Sequence, residues 1–424
     1  MTQVGRYLRG DRVAPLCPLY LAVVGMNRPL RILMIAPTSF FLDYGCHVRI
    51  LEEARVLQRL GHQVTIATYY LGRNIPGLEI VRCRPTPWRA DYEVGSSLHK
   101  LAFDVFLAWR VLGLLLRRRF DLIHGHLYEG ALIGRVLGRP WRLPVVFDRQ
   151  GSLTGEMVDH RFLNPHGPWY RWVRLLEERI NEMADVIVTS TQQGAVQLSH
   201  LGDSVRIRPL PDCVNADFFR PGVLSPEEVA ARRAARGIPP GATVVVYLGL
   251  LADWQGIPQL LQAARHLKER GREVYFLVGG FPAEAYYQDQ ARQLGVDDRV
   301  VFTGKVPYEE SPAHLALGDI AVAPKLSATE GSGKILNYMA MALPTVAFDT
   351  PVSREYLGSL GVYASPPGDP DALARAIQAL VEQPDLRRAL GEGLRQRALR
   401  HFSWDRAGRQ LVNIYREVLA RRRR

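Results

Sequence analysis

Residues 318–356, GDIAVAPKLSATEGSGKILNYMAMALPTVAFDTPVSREY, constrain the fold more than any other stretch of this chain. A short apolar strand, Ile320 to Ala323, stops at Pro324. A Gly-rich turn, Glu330-Gly331-Ser332-Gly333, follows, and Lys334 to Ala342 has the pattern of a helix. Leu343-Pro344 then ends the helix and restarts a strand, because proline clashes with a continuing helical turn. Ile335, Leu336, Met339 and Leu343 share one helical face, leaving Lys334, Asn337 and Met341 on another. Strand, glycine turn, helix and strand in this order make half of a parallel α/β unit. Unpaired N–H groups at the start of the helix, approachable because Gly331, Ser332 and Gly333 are small, form an anion site to which Lys334 and Lys325 add charge.

The same run, TEGSGKILNYMAMALPTVAFD, resembles the donor-binding signature of the GT-B glycosyltransferases of the family 4 type, which take nucleotide-activated sugars. The resemblance extends over most of the chain from residue 30 to 420. It implies two Rossmann-like doubly wound parallel-sheet domains facing each other across a cleft, an α/β architecture. Residues 1–27 then read as an N-terminal tail, with Met26-Asn27-Arg28-Pro29 placed as a natural start just before the first strand. Residues 28–215 form the acceptor-side domain, 216–403 the nucleotide-sugar domain, and 404–424 a helix crossing back to the first. A length of 424 residues suits two cores of about 200 residues each.

The first domain opens with the apolar strand LRILMIA (30–36), a loop carrying Gly45 and His47, and a helix closed by Gly61. Phe120 to His126 resembles the family's strand ending in two histidines. That places His126, with Glu129, at the carboxyl edge of the sheet, where such sheets bind ligands. Where relatives carry a histidine that contacts the donor sugar, this chain has Gln150 in Arg149-Gln150-Gly151. A glutamine can hydrogen-bond a hydroxyl but cannot relay a proton. Thr189 and Ser190 are expected at the cleft, and PLPDCVNADFFRP (209–221) resembles the interdomain connector.

In the second domain, the strand Val244 to Gly249 resembles the one after which relatives place an arginine and, five residues later, a lysine, which together neutralise the donor diphosphate. Leu250 and Gln255 occupy those positions here. Of the family's two glutamates, Glu330 stands near the first and Asn337 at the second. The resemblance therefore implies catalytic roles for Lys334, Glu330, His126 and Gln150. Donor binding falls to Gly45, Gly249, Gln255, Lys325, Gly331, Ser332, Gly333 and Asn337.

No Asp-x-Asp pair stands in a donor-site context, so no metal is expected at the reaction and no cofactor beyond the donor itself. Retaining transfer of a sugar from a nucleoside diphosphate sugar to an unidentified acceptor is the leading reading. A non-catalytic binding or scaffold relative is the alternative, since four of the usual donor-site residues are replaced. The four cysteines have neither CxxC spacing nor clustered histidine partners, so neither a disulfide framework nor a zinc site is expected. The net charge of +12 is carried mainly by arginine, since only five of the 54 basic residues are lysine. It favours anionic partners: diphosphates, or an acidic membrane surface met by the apolar segment 100–119 with its Arg117-Arg118-Arg119 end. Nucleic acid is not expected, because no aromatic residues interleave the basic runs. No stretch approaches the roughly 18 apolar residues of a membrane span. The expected location is cytoplasmic, with peripheral contact at the inner face of the membrane.

Overall fold

The computed structural model describes residues 28–42, 45–85, 98–159, 162–201, 206–326 and 331–422. The tail 1–27 and Glu330 lie outside the described residues.

Two parallel sheets organise the chain. The first runs β3 (Glu79–Arg82), β2 (Gln63–Thr68), β1 (Arg31–Ala36), β4 (Leu122–His126), β5 (Val145–Arg149), β6 (Val186–Thr189), β7 (Ile207–Pro209). The second runs β10 (Val300–Gly304), β9 (Val274–Phe281), β8 (Thr243–Leu250), β11 (Ile320–Ala323), β12 (Thr345–Phe348), β13 (Val362–Ala364). All recorded pairings within the two sheets are parallel, for example Met34 opposite both Ile66 and His124. Every residue of β4, β5, β11 and β12 is buried. Strands covered by helices on both faces need apolar side chains at successive positions, which is why β11 reads as an unbroken apolar run and β4 and β5 begin apolar, their buried polar residues His124, His126, Asp148 and Arg149 falling toward the carboxyl edge.

Both sheets reverse their strand order in the middle, between β1 and β4 in the first and between β8 and β11 in the second. At such a switch point the loops leaving adjacent strands turn to opposite sides and open a crevice at the carboxyl edge. The two crevices face each other. Helix Gly333–Ala340 follows β11 and ends one turn before Pro344, so Met341 lies beyond the helix and is buried rather than presented on a polar face.

The last helix, Trp404–Arg421, packs on helix Gly45–Arg59 of the first domain. Gly408 permits the close approach: a Cβ there would stand 2.4 Å from Val56 Cγ2. Tyr415 is fully buried, and its hydroxyl reaches His124 Nδ1 at 2.6 Å.

Candidate active site

The two crevices form one cleft of about 330 Å³. Gly45, Gln150, Gly249, Gln255, Lys325, Gly331, Ser332, Gly333, Lys334 and Asn337 all line it. Ser190 lines it too, whereas its neighbour Thr189 is fully buried and donates to Thr191 O, because successive strand residues face opposite ways.

On the second-domain wall the helix Gly333–Ala340 starts without a side-chain cap. Ser332 holds the cap position, yet its buried hydroxyl finds no hydrogen-bond partner among the described residues. Ile335 N donates to Ser332 O at 2.9 Å, which leaves the N–H groups of Gly333 and Lys334 and this hydroxyl at the cleft, with the positive end of the helix dipole behind them. Gly331 keeps the turn tight, since a Cβ would meet Asp212 Oδ2 of the interdomain connector at 2.4 Å.

Lys334 does not project into solvent from its helix. It folds back toward the carboxyl end of β8, where Nζ donates to Gln255 Oε1 at 2.6 Å and to Tyr247 Oη at 2.9 Å and sits 4.4 Å from the centre of the Tyr247 ring. Gly249 makes this route possible, because a Cβ at that position would lie 2.9 Å from Nζ. Burial and then the neighbouring Lys325 hold the Lys334 ammonium well below the usual lysine pKa. Lys325 itself is buried and donates to Gly331 O at 3.1 Å, bracing the turn from beneath. A lysine amine, a full positive charge when protonated, thus stands beside position 255 although the residue there is a glutamine. The positive charge is supplied from the facing helix instead.

On the first-domain wall, Gln150 Nε2 donates to Asp148 Oδ2 at 2.8 Å, which turns its carbonyl oxygen away from that carboxylate. His126, expected at the reacting edge, is a correction: it is fully buried, does not line the cleft, and its Nδ1 pairs with Asp148 Oδ2 at 3.0 Å. It lies in a layer beneath Gln150. That layer centres on Arg49, a residue the sequence reading passed over. Its guanidinium meets Asp148 at 2.9 Å, Asp212 at 2.8 Å and Glu53 at 3.2 Å. Arg49 and Glu53 stand four residues apart on one helix, a buried charge pair whose spacing was the available signal. Burial would raise the Asp148 carboxyl, but Arg49 and His126 outweigh it and hold it far below the ordinary range. Burial pushes Glu53 the other way, well above that range.

The domains also touch beside the cleft. Arg73 pairs with Glu309 at 2.9 Å, Gln192 N donates to Glu355 at 2.9 Å, and Tyr356 Oη donates to Ser190 O at 3.3 Å. Phe41 and Tyr308 stack edge to face at 5.9 Å. A ligand held between Lys334 and Gln150 would bridge both walls.

Comparison with known proteins matches residues 44–213 to the family described as glycosyl transferase 4-like domain and residues 229–397 to glycosyl transferases group 1. A D-inositol 3-phosphate glycosyltransferase from Corynebacterium efficiens is 26% identical over 402 residues, covering 88% of this chain and 90% of that protein. Among solved structures, the sucrose-phosphate synthase of Thermosynechococcus elongatus superposes with a TM-score of 0.78 at 19% identity, over 92% of this chain and all of that one. The Anabaena protein HepE, solved in complex with UDP and glucose, superposes with a TM-score of 0.71 at 18% identity, over 91% of this chain and 98% of that one.

Proposed function

Because the chain belongs to the GT-B glycosyltransferases of the group 1 family, we propose that it transfers a sugar from a nucleoside diphosphate sugar to an acceptor with retention of anomeric configuration. The observation that carries this reading is the Lys334 ammonium at 2.6 Å from Gln255 Oε1, beside an uncapped helix start with an unpartnered Ser332 hydroxyl. A departing diphosphate needs positive charge preorganised where its own charge grows. Lys334, braced by Tyr247, supplies a full charge there, the helix N-terminus adds roughly half of one, and no divalent ion is required. Gln150 faces the sugar from the opposite wall as a hydrogen-bonding group. The UDP and glucose in the HepE structure support a donor of this class.

The test is a panel of nucleotide sugars scored by thermal stabilisation, followed by transfer assays with and without added Mg²⁺. One donor should raise Tm, by the amount mass action sets for a ligand that binds only the folded state, and turnover should not depend on Mg²⁺. A protein that no nucleotide sugar or nucleoside diphosphate stabilises, or one inactive until Mg²⁺ is added, would contradict the reading.

For the acceptor, a specific surface favours a lipid-linked molecule. Helices Leu98–Arg117 and Pro168–Met183 both pack beside helix Leu127–Gly138. They expose Leu101, Val105, Trp109, Leu116, Trp169 and Trp172, with Trp109 70% and Trp169 71% exposed. Arg110, Arg117, Arg171 and Arg174 are exposed among them. Tryptophan rings suit the headgroup boundary of a bilayer and arginines suit its anionic phosphates. The first turns of the two outer helices lie toward the carboxyl edge of the sheet, which puts Leu101, Trp169 and Trp172 nearest the cleft that Lys100 lines, with Trp109, Leu116 and Arg117 farther along the same face. No helix among the described residues is long and apolar enough to cross a membrane, so contact would be at the surface. Vesicles containing about one third anionic lipid should co-sediment the protein, and a Trp109→Ser/Trp169→Ser/Trp172→Ser variant should lose roughly tenfold or more of that binding. Equal partition of wild type and variant would reject this acceptor class.

A further inference from the structure

Beneath the cleft the first domain carries four ligating side chains that are far apart in sequence. Glu53 comes from helix Gly45–Arg59, His124 and His126 from β4, and Asp148 from β5. Two residues apart on one strand, the histidines point to the same side, and their rings stack at 4.4 Å. Glu53 is 1% exposed and the other three are fully buried. One ligating atom from each lies within 4.8 Å of those of the other three.

Their hydrogen bonding is half complete in a particular way. His124 Nδ1 meets the Tyr415 hydroxyl at 2.6 Å and His126 Nδ1 meets Asp148 at 3.0 Å, so each ring is held from behind. The Nε2 atom of both rings and both carboxylate oxygens of Glu53 have no hydrogen-bond partner among the described residues. His124 Nε2 and Glu53 Oε2 face each other at 3.9 Å, while Arg49 approaches the other oxygen of Glu53, Oε1. His124 Nε2, His126 Nε2 and Glu53 Oε2 are thus buried without a partner, and Glu53 Oε1 has only the Arg49 ion pair, an arrangement that is costly and uncommon. The charges are unbalanced too. Glu53, Asp148 and Asp212 surround a single Arg49 cation, which leaves two negative charges uncompensated when all three carboxyl groups are ionised.

We propose that Glu53, His124 and His126 bind a structural divalent metal ion, with zinc as the best fit. Two imidazole nitrogens and a carboxylate are ligands that zinc accepts, and a doubly charged ion balances the two negative charges. Asp148 and Tyr415 are then the outer partners: each takes the Nδ1–H of a ligating histidine and so directs Nε2 toward the metal. The ion would not meet the donor, because none of its three ligands lines the cleft. Its place joins β4 to helix Gly45–Arg59, and through Tyr415 it fixes helix Trp404–Arg421.

The full-length untagged protein, purified without chelators, should contain about one zinc per chain by elemental mass spectrometry. Removing the metal with dipicolinate should lower Tm by about 5 °C or more, and added Zn²⁺ should restore it. Co²⁺ added to the stripped protein should give visible d–d absorption. Glu53→Gln is the decisive variant. If a metal is bound, the amide weakens the site, and the variant should lose zinc and take on the Tm of the stripped protein. Should Glu53→Gln fail to fold, the strip-and-restore series on wild type decides the matter by itself. The proposal fails if purified protein holds no metal and neither Zn²⁺ nor Co²⁺ changes Tm or the spectrum. It fails equally if Glu53→Gln melts at or above the wild-type temperature, as it would if the carboxyl group were simply neutral and hydrated.

Discussion

Lys334→Ala should lower kcat/KM by about 10²-fold or more in a protein that folds normally, the scale seen when one preorganised donor to a developing charge is removed. The reason is positional. Leu250 and Gln255 carry no charge, and Lys325 is turned to Gly331 O, bracing the turn rather than reaching β8. Among the described residues it is Lys334 that brings its amine to the end of β8, and Tyr247 and Gln255 hold it there before the donor arrives. The depressed pKa gives a second signature. Burial first, then Lys325, favours the neutral amine in the free protein, whereas a bound diphosphate favours the ammonium. If the charged form is the active one, kcat/KM, which reports the free enzyme, should fall as pH rises at a pH well below the usual lysine value of about 10.4. The alkaline limb of kcat, which reports the bound enzyme, should lie at higher pH. A Lys334→Ala protein with near wild-type turnover, or two coincident alkaline limbs, would remove Lys334 from the reaction. The partner exchange Lys334→Gln/Gln255→Lys offers a further check, since it returns the cation to the neighbouring side chain and should recover part of the lost rate.

Arg49→Met should destabilise the protein by about 3–5 kcal/mol, the range for breaking a buried ion pair from one side only. Arg49 is 3% exposed and makes close contact with three carboxylates, and its Nη1 also donates to Leu210 O at 3.2 Å. Methionine keeps much of the volume but leaves Asp148 and Asp212 without their cation. Because Asp212 belongs to the connector and sits against Gly331, the loss should also loosen the domain junction. Urea denaturation monitored by circular dichroism gives the number. A change under about 1 kcal/mol would mean that water enters and solvates the carboxylates, and that Arg49 is not the keystone the distances suggest.

The two-sheet architecture was legible because buried parallel strands must be apolar at nearly every position, and because the turn at 331–333 has little freedom to be anything other than a strand-to-helix junction. The cleft walls were legible for the same reason, since carboxyl-edge loops follow directly from strand order. What the sequence concealed is the direction of long side chains and the company of buried polar ones. Helix spacing put Lys334 at the cleft but could not show that it folds back to Tyr247 and Gln255, which precede it by 87 and 79 residues. His126 read as a reacting group because it ends a strand at the carboxyl edge, where such sheets bind ligands. Here His126 is fully buried against Asp148, and the returning Tyr415 meets His124 two residues earlier on the same strand. Arg49 drew no attention because a lone arginine on a helix ordinarily faces solvent, and its three partners come from positions 53, 148 and 212.

The returning helix also sets the order in which the protein can be completed during synthesis. Trp404, Leu411, Ile414 and Tyr415 are among eight buried residues of Trp404–Arg421, and they seal the side of the first domain on which helix Gly45–Arg59 lies. A growing chain ordinarily finishes its N-terminal domain while the rest is still being translated. Here the apolar seam along Val56 stays open until residues 404–421 have left the ribosome, so the first domain is completed only after the second has been translated.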